Sequence, residues 1–329
     1  MTRSTPTSTT ETDLPLLDCH PTQTDIGQDV ARSLAKDPPT ISPVYLYDAV
    51  GAELFDAICD VDEYYITRTE ISILEANLSE IADTIGPNAM VIEPGSGSGA
   101  KTDMLLDSLH EPSAYVPIDI SRDFLLEAAG RHAEAHPNLE VLPVCADFNT
   151  QHPLPKPANS EQRRVVFFPG STVGNIDREP RLKLLRRFRD MVGDDGAALI
   201  GFDLVKEPAV LEAAYNDKAG VTADFNYNLL ARLNRELDAG FDIDAWRFLA
   251  TWNDAEQRIE SNLTAQKPQR VNIGSKRFDF AAGDFIRTEH AQKFTLETFE
   301  EHATKSGFKL DRVWLDDDEL FAVALLTAV

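Results

Sequence analysis

The chain has little cysteine: Cys19, Cys59 and Cys145 are its only thiols in 329 residues. Three scattered thiols make neither a disulfide framework nor a zinc site. The seven histidines show no metal-ligand spacing, so no metal is expected. Basic residues are also short, 31 Lys and Arg against 55 Asp and Glu, a formal net charge of -24 at pH 7. No Lys/Arg cluster offsets the repulsion of a phosphate backbone, which argues against a nucleic-acid partner; the excess acid reads as a solvated surface. No apolar run approaches the ~20 residues that a membrane-spanning helix needs. The opening MTRSTPTSTTETD is polar and has no apolar signal-peptide core, and residues 1–15 are expected to form a disordered tail. These absences predict a soluble, cytoplasmic protein without a membrane partner, long enough for about two domains; a monomer is expected, though no absence dictates it.

What the chain does have is glycine, concentrated in one place. In VIEPGSGSGAKT, residues 91–102, a short apolar run ends at Glu93, and Gly95, Gly97 and Gly99 alternate before a helix-forming stretch at 101–109. This is a strand, a tight turn and a helix N-terminus. Backbone without side chains lets a ligand lie against it, and the helix dipole points at that ligand. Three ligand classes use such turns. A phosphate-binding P-loop would fit Gly95 and Lys101-Thr102, but Ala100 stands where its last glycine belongs. A dinucleotide fingerprint is met by Gly95, Gly97 and Ala100. The S-adenosylmethionine turn, acid-x-G-x-G-x-G, is met at every position by Glu93, Gly95, Gly97 and Gly99. A carboxylate ahead of the turn suits a ligand carrying an ammonium and a sulfonium, and would repel a pyrophosphate.

Downstream, apolar strands at 114–120, 139–148, 164–168 and 197–204 alternate with helical stretches at 122–134 and 179–191. This rhythm predicts right-handed crossovers and an α/β fold, a parallel sheet with helices on both faces. Ligands of such sheets bind beyond the carboxyl ends of the strands, where Glu93, Asp119, Asp147 and Gly170 all fall. Residues 206–244 then read as helical, and 246–280 alternate with period two, which predicts an antiparallel sheet outside the main one. A helix at 296–305 and strands at 310–315 and 320–326 follow, the last two forming a terminal antiparallel hairpin as methyltransferase sheets do. The expected architecture is a class I methyltransferase core, a Rossmann-like, mostly parallel seven-stranded sheet in residues 61–205 and 291–329. An inserted α+β substrate domain would be built from 16–60 and 206–290.

The strand-end residues take provisional roles. Asp119, about twenty residues past the glycines, suits ribose hydroxyls, with capping of the helix near Ser121 as the competing reading. Asp147-Phe148 offers a carboxylate for an adenine amino group and a ring for its face. Asp203 reads as structural or loop-capping, Asn175 competes as a helix N-cap before Asp177, and His290 reads as a solvated side chain. Tyr64 and Tyr65 cannot both face one side of a regular element, so one of them is expected to meet a cavity.

The run at residues 45–70, YLYDAVGAELFDAICDVDEYYITRTE, together with the glycine turn, YVPIDIS and FFPGSTVGN, resembles the histidine Nα-methyltransferase family of ergothioneine biosynthesis. The likeness runs from about residue 40 to the C-terminus. It implies methyl transfer from S-adenosylmethionine to the α-amine of histidine, three times in succession. Tyr47, Gly95, Lys101, Asp119, Asp147 and Phe148 would surround S-adenosylmethionine. Gly170, Asn175 and Tyr215 would hold the amino and carboxylate groups of the substrate, Tyr64 would lie beside its side chain, and Glu289 would bind the imidazole. Tyr and Asn suit this work because they hydrogen-bond an amine without adding a second ammonium. Positioning of the lone pair supplies most of the rate, and the Tyr47 hydroxyl is the candidate to accept or relay the amine proton.

Two positions depart from the family. A Ser that follows the imidazole-binding Glu by two residues is Ala291 here, and a Met that packs on the imidazole is Ser261. The retained Glu289 favours an imidazole N–H, since an indole or apolar side chain would leave that carboxylate buried and unpaired. A tryptophan derivative is the alternative substrate, and a dinucleotide oxidoreductase the more remote alternative activity.

Overall fold

A computed structural model describes residues 14–21, 25–96, 99–159 and 163–329. Residues 1–13 of the expected tail, and Gly97 of the glycine turn, lie outside the described residues. Leu14, at the end of that expected tail, already packs against the core.

The chain begins with a two-residue strand, β1 (Leu17–Asp18), then helices α1 (Ile26–Ser33) and α2 (Ala49–Cys59). The long helix α3 (Tyr65–Ile85) leads into β2 (Ala89–Pro94), α4 (Ala100–Ser108), β3 (Ala114–Asp119) and α5 (Arg122–Ala135). Two short strands, β4 (Glu140–Val141) and β5 (Val144–Cys145), precede β6 (Arg163–Phe168), α6 (Arg178–Val192) and β7 (Ala197–Asp203). Next come α7 (Pro208–Tyr215), α8 (Val221–Leu237), β8 (Trp246–Asn253), β9 (Arg258–Ala265), β10 (Gln269–Ile273), β11 (Lys276–Phe280) and β12 (Phe285–Gln292). The chain ends with α9 (Leu296–Lys305), β13 (Phe308–Leu315) and β14 (Phe321–Ala328).

The main sheet runs β1-β5-β3-β2-β6-β7-β14-β13, with β4 beside β3. The β2, β3, β5, β6 and β7 neighbours are parallel, while β14 enters antiparallel between β7 and β13. The expected hairpin is therefore present, and among the described residues the sheet has nine strands rather than seven because the two-residue pieces β1 and β4 join it. The single strand expected at 139–148 is broken. Pro143 separates β4 from β5 and has no N–H to give a ladder, while its carbonyl accepts from Leu17 N–H at 3.0 Å and so recruits β1.

Strand β2 is buried along its whole length, as a strand covered on both faces must be. Val91 faces the layer holding Ile73, Leu74 and Ile81 of α3, and Met90 and Ile92 face the layer holding Leu184, Leu185 and Phe188 of α6 with Phe299 of α9. Outside this sheet, β12, β9 and β8 form an antiparallel sheet, and β10 and β11 a separate hairpin. The alternating burial of β8 matches its period-two sequence. Helix α8 packs on α2, and Ile41 N–H bonds to Arg287 O at 3.0 Å, so the N-terminal segment touches the 206–290 stretch at two places. Among the described residues, no helix is long and apolar enough to cross a membrane.

Candidate active site

The carboxyl ends of three neighbouring parallel strands are tied sideways. Gly95 N–H, just past β2, bonds to Ile118 O of β3 at 2.8 Å, and Ala146 N–H, just past β5, bonds to Asp119 O at 3.0 Å. The glycine turn, Asp119 and Asp147-Phe148 are thus held in a row along one edge. A Cβ added to Gly95 would lie 3.5 Å from the Phe148 ring, so the ring stands beside bare backbone. Asp119 Oδ1 accepts Ser121 N–H at 2.7 Å, and burial raises its pKa. Asp147 Oδ1 accepts from Asn149 N–H at 2.8 Å. A bare turn, a half-buried acid one strand over and an acid-aromatic pair one strand further fit the chemistry of an adenosyl group bearing a cationic amino-acid tail.

Glu93 lies beneath the turn rather than at its surface. Its carboxylate is buried, accepts from Thr102 Oγ1 at 2.9 and 3.0 Å and accepts from the Tyr115 hydroxyl. Burial pushes its pKa up to about 7 against the lowering effect of those two donors. Lys101, the next residue outward, pairs with Glu70 of α3 at 2.5 Å. Both Glu70 oxygens also accept Gly170 N–H at 2.9 Å, so one carboxylate joins α3, the start of α4 and the loop after β6. Gly201 in β7 makes this possible, since a Cβ there would come within 1.8 Å of Glu70 Oε1.

A second group of aromatic rings packs edge to face. Tyr47 contacts Phe225 at 5.3 Å and Phe55 at 5.5 Å between centroids; Phe55 leads to Tyr64 at 6.4 Å, and Tyr64 to Tyr215 at 6.1 Å. Tyr47 keeps 45 % of its surface open, yet burial is the main cause that pushes its hydroxyl well above the ordinary tyrosine value, with Glu289 next. The adjacent tyrosines face opposite ways: Tyr64 joins these rings, and the Tyr65 hydroxyl donates to Asp203 at 2.9 Å.

Glu289 of β12 accepts the Asn175 side-chain amide at 3.0 Å. Burial pushes its carboxyl up to about 7, and the Lys293 cation only partly offsets this. Asn175 is therefore not the helix cap; Asp177 occupies that position before α6. The reach of Asn175 depends on Gly174, where a Cβ would sit 2.6 Å from the Gln292 carbonyl of β12. Ser261 is the cross-strand partner of Glu289, Ala250 that of Ser261, and Ala291 follows Glu289 on the same face of β12. All three are small and buried. His290 faces the other way, half-buried with Nε2 at 3.6 Å from Asp177; the expectation of a solvated side chain fails because the 172–177 turn covers it.

Behind Tyr215 lies a buried ionic network that the sequence reading missed. Lys293 Nζ donates to the Tyr215 hydroxyl at 2.9 Å and pairs with Asp203 at 2.7 Å, both ions fully buried. Asp203 also receives Lys206 at 2.5 Å and the Tyr65 hydroxyl. Asp203, expected to be structural or loop-capping, is the hub of this network. Against the cost of burial, Asp203 holds Lys293 above the ordinary lysine value, whereas burial pulls Lys206 down to about 8. Burial pushes Tyr215 up to about 12 despite Lys293, so it remains a neutral hydroxyl. Glu70 stands inside the 45–70 run that carries the family resemblance, which was the available signal; Lys293 had none. At the end of α5, His132 and His136 stand one helical turn apart and face Asp103 of α4, a grouping the sequence did not single out.

A mostly parallel sheet closed by an antiparallel hairpin, with a glycine turn and acids on adjacent strand ends, defines an S-adenosylmethionine-dependent methyltransferase of class I. A family model described as histidine-specific methyltransferase, SAM-dependent, matches residues 26–328, and the chain belongs to that family. It is 39% identical over 305 residues to the histidine N-alpha-methyltransferase of Mycolicibacterium smegmatis, covering 91% of this chain and 94% of that one. It is 29% identical over 295 residues to ergothioneine biosynthesis protein 1 of Neurospora crassa, covering 86% of this chain and 33% of that one. Among solved structures, it overlays a Burkholderia thailandensis 1,6-didemethyltoxoflavin N1-methyltransferase at a TM-score of 0.44 and 10% identity, covering 85% of this chain and 88% of that one.

Proposed function

We propose that this chain methylates the α-amine of L-histidine three times, giving Nα,Nα,Nα-trimethylhistidine, the hercynine of ergothioneine biosynthesis. Glu289 carries the reading. A carboxylate whose charge reaches Tyr47, Tyr64 and Tyr215, with the Asn175 amide already on one oxygen, suits a side chain that offers an N–H. Residues 61–205 and 291–329 hold the cofactor, residues 16–60 and 206–290 enclose the substrate, and the single chain is the working unit.

S-adenosylmethionine supplies an electrophilic methyl group when bound. Asp119 receives the ribose hydroxyls, Asp147 and Phe148 the adenine, and the turn at Gly95 with Lys101 the amino-acid tail. Glu93, held by Thr102 and Tyr115, shapes the turn from below. At the other end, Gly170, Asn175 and Tyr215 orient the amino and carboxylate groups, Tyr64 flanks the imidazole and Glu289 accepts its N–H. The raised Tyr47 hydroxyl stays protonated at neutral pH, so it aligns the amine lone pair and relays a proton rather than acting as a standing base. Alignment is the larger contribution, because a lone pair held in line makes the transfer effectively unimolecular.

A tryptophan derivative is the second reading, favoured by the small side chains of Ser261, Ala250 and Ala291 around Glu289. Incubation with S-adenosylmethionine and each common amino acid, followed by mass spectrometry, decides between them. Trimethylated histidine is expected. Methylation of another amino acid alone would overturn the histidine assignment and keep the reaction class.

A further inference from the structure

We propose that Asp103, His132 and His136 form a binding site for a divalent metal ion of the zinc class, clamping α4 to α5 beside the glycine turn. Asp103 Oδ1 lies 2.7 Å from His132 Nδ1 and 3.0 Å from His136 Nε2, and the three ligand atoms all fall within 4.8 Å of one another. Two i, i+4 pairs converge here: Asp103 and Asp107 on α4, His132 and His136 at the end of α5. Residues four apart share one helix face, so the two helices present these side chains to each other.

The support around the ligands is that of a metal site. His136 Nδ1 lies 3.5 Å from Asp107 Oδ1, so a second carboxylate stands on the far side of that ring, where such groups orient metal-binding imidazoles. His132 is buried, its ring edge-on to Tyr115 at 4.9 Å, and a Cβ on Gly99 would come within 2.9 Å of its Cε1. The two imidazoles are nearly parallel, 22° apart. Two imidazole nitrogens and one carboxylate oxygen, with Asp103 half-exposed to admit water as a fourth ligand, match the donor set of a tetrahedral zinc ion. Bonds of roughly 2.0–2.1 Å put neighbouring ligands roughly 3.4 Å apart, so the Asp103–His separations of 2.7 and 3.0 Å would open by about half an ångström. The chain's charge of -24 favours a cation in addition.

The site has no part in the methyl transfer proposed above. It lies behind the turn, connected to it by the Tyr115 ring and hydroxyl to Glu93 and by the start of α4 after Gly99. A bound ion would hold that turn's outer wall, acting as a structural clamp.

The test uses the full-length, tag-free chain, stripped with a chelator and titrated with Co²⁺. A visible tetrahedral absorption band saturating at one equivalent and displaced by Zn²⁺ is expected, with a rise in Tm. The isosteric Asp103→Asn and the largely enclosed His136→Ala should each weaken binding more than Asp107→Asn, whose loss is roughly 10–100-fold. Asp107 is largely exposed, so that variant tests the support without disturbing packing. Absence of the band, or equal affinity in the wild type and all three variants, as a diffuse acidic surface would give, overturns the proposal.

Discussion

Glu93 and Glu289 share a pKa near 7, raised by burial, but the two carboxyls have different consequences. Glu93 has internal donors, so its protonation bears on folding. Its folded pKa lies above the ordinary glutamate value of about 4.3, so between there and about 7 the folded chain binds more protons than the unfolded one. Stability from this group is complete below about 4.3 and is lost as pH rises through about 7. In a Glu93→Gln variant, thermal unfolding should depend less on pH across that window; an unchanged slope would assign the dependence elsewhere. Glu289 is the proposed imidazole contact, so its ionisation bears on substrate. The kcat/KM for histidine should rise as pH passes about 7, and Glu289→Gln should remove that limb and lower kcat/KM by about 10–150-fold, the worth of a charged hydrogen bond. Lys293→Met leaves Asp203 buried with one cation fewer, and urea unfolding should report a loss of about 3–5 kcal/mol. The sequence grouped Glu289, Asn175, Tyr64 and Tyr215 only through the family resemblance; the structure brings Asn175 to Glu289 and Tyr64 to Tyr215. Lys293 was not legible, because its partner Asp203 lies far away along the chain, and nothing local marks a lysine as buried.

At the scale of elements, close approach decides what reaches the site. The short turn at Thr172–Asn175 docks on β12 only because Gly174 has no side chain against the Gln292 carbonyl. Gly174→Ala should push the turn outward and break the Asn175–Glu289 bond. Steady-state kinetics should then show a raised KM for histidine, while S-adenosylhomocysteine affinity, measured by calorimetry, changes little. A parallel loss of cofactor affinity would mean that the turn serves both ligands. Helix α9 and strands β6, β7, β13 and β14 were readable within a residue or two, because long periodic runs leave little choice. The 139–148 segment was misread as one strand because its apolar run continues through Pro143, and the break comes from a missing N–H rather than from a change of hydropathy.

For the whole molecule, the imbalance of 55 acids to 31 bases should make the folded chain repel itself in dilute buffer. Surface pairs such as Arg270–Asp279 weaken with salt, but there are too few cations for them to outweigh the net repulsion. Calorimetric Tm should therefore rise as ionic strength is taken from about 0.01 M, where charges interact across about 30 Å, to about 0.1 M, where they interact across about 10 Å. A falling Tm would show that the surface pairs dominate. The two layers on either face of the main sheet, and the second sheet beyond β7, were both foreseeable from the switch in apolar period.

The sequence by itself determined the class of fold, the cofactor turn and the set of strand-end groups, since periodicity, glycine spacing and chain order are local properties. Only the tertiary structure decided that Glu93 faces inward, that Glu70 joins three elements and that Asn175 meets Glu289. It alone put Lys293 behind Tyr215 and His132 and His136 opposite Asp103. Each of these contacts pairs residues from separate elements, and which polar groups meet once water is excluded is set by how those elements pack.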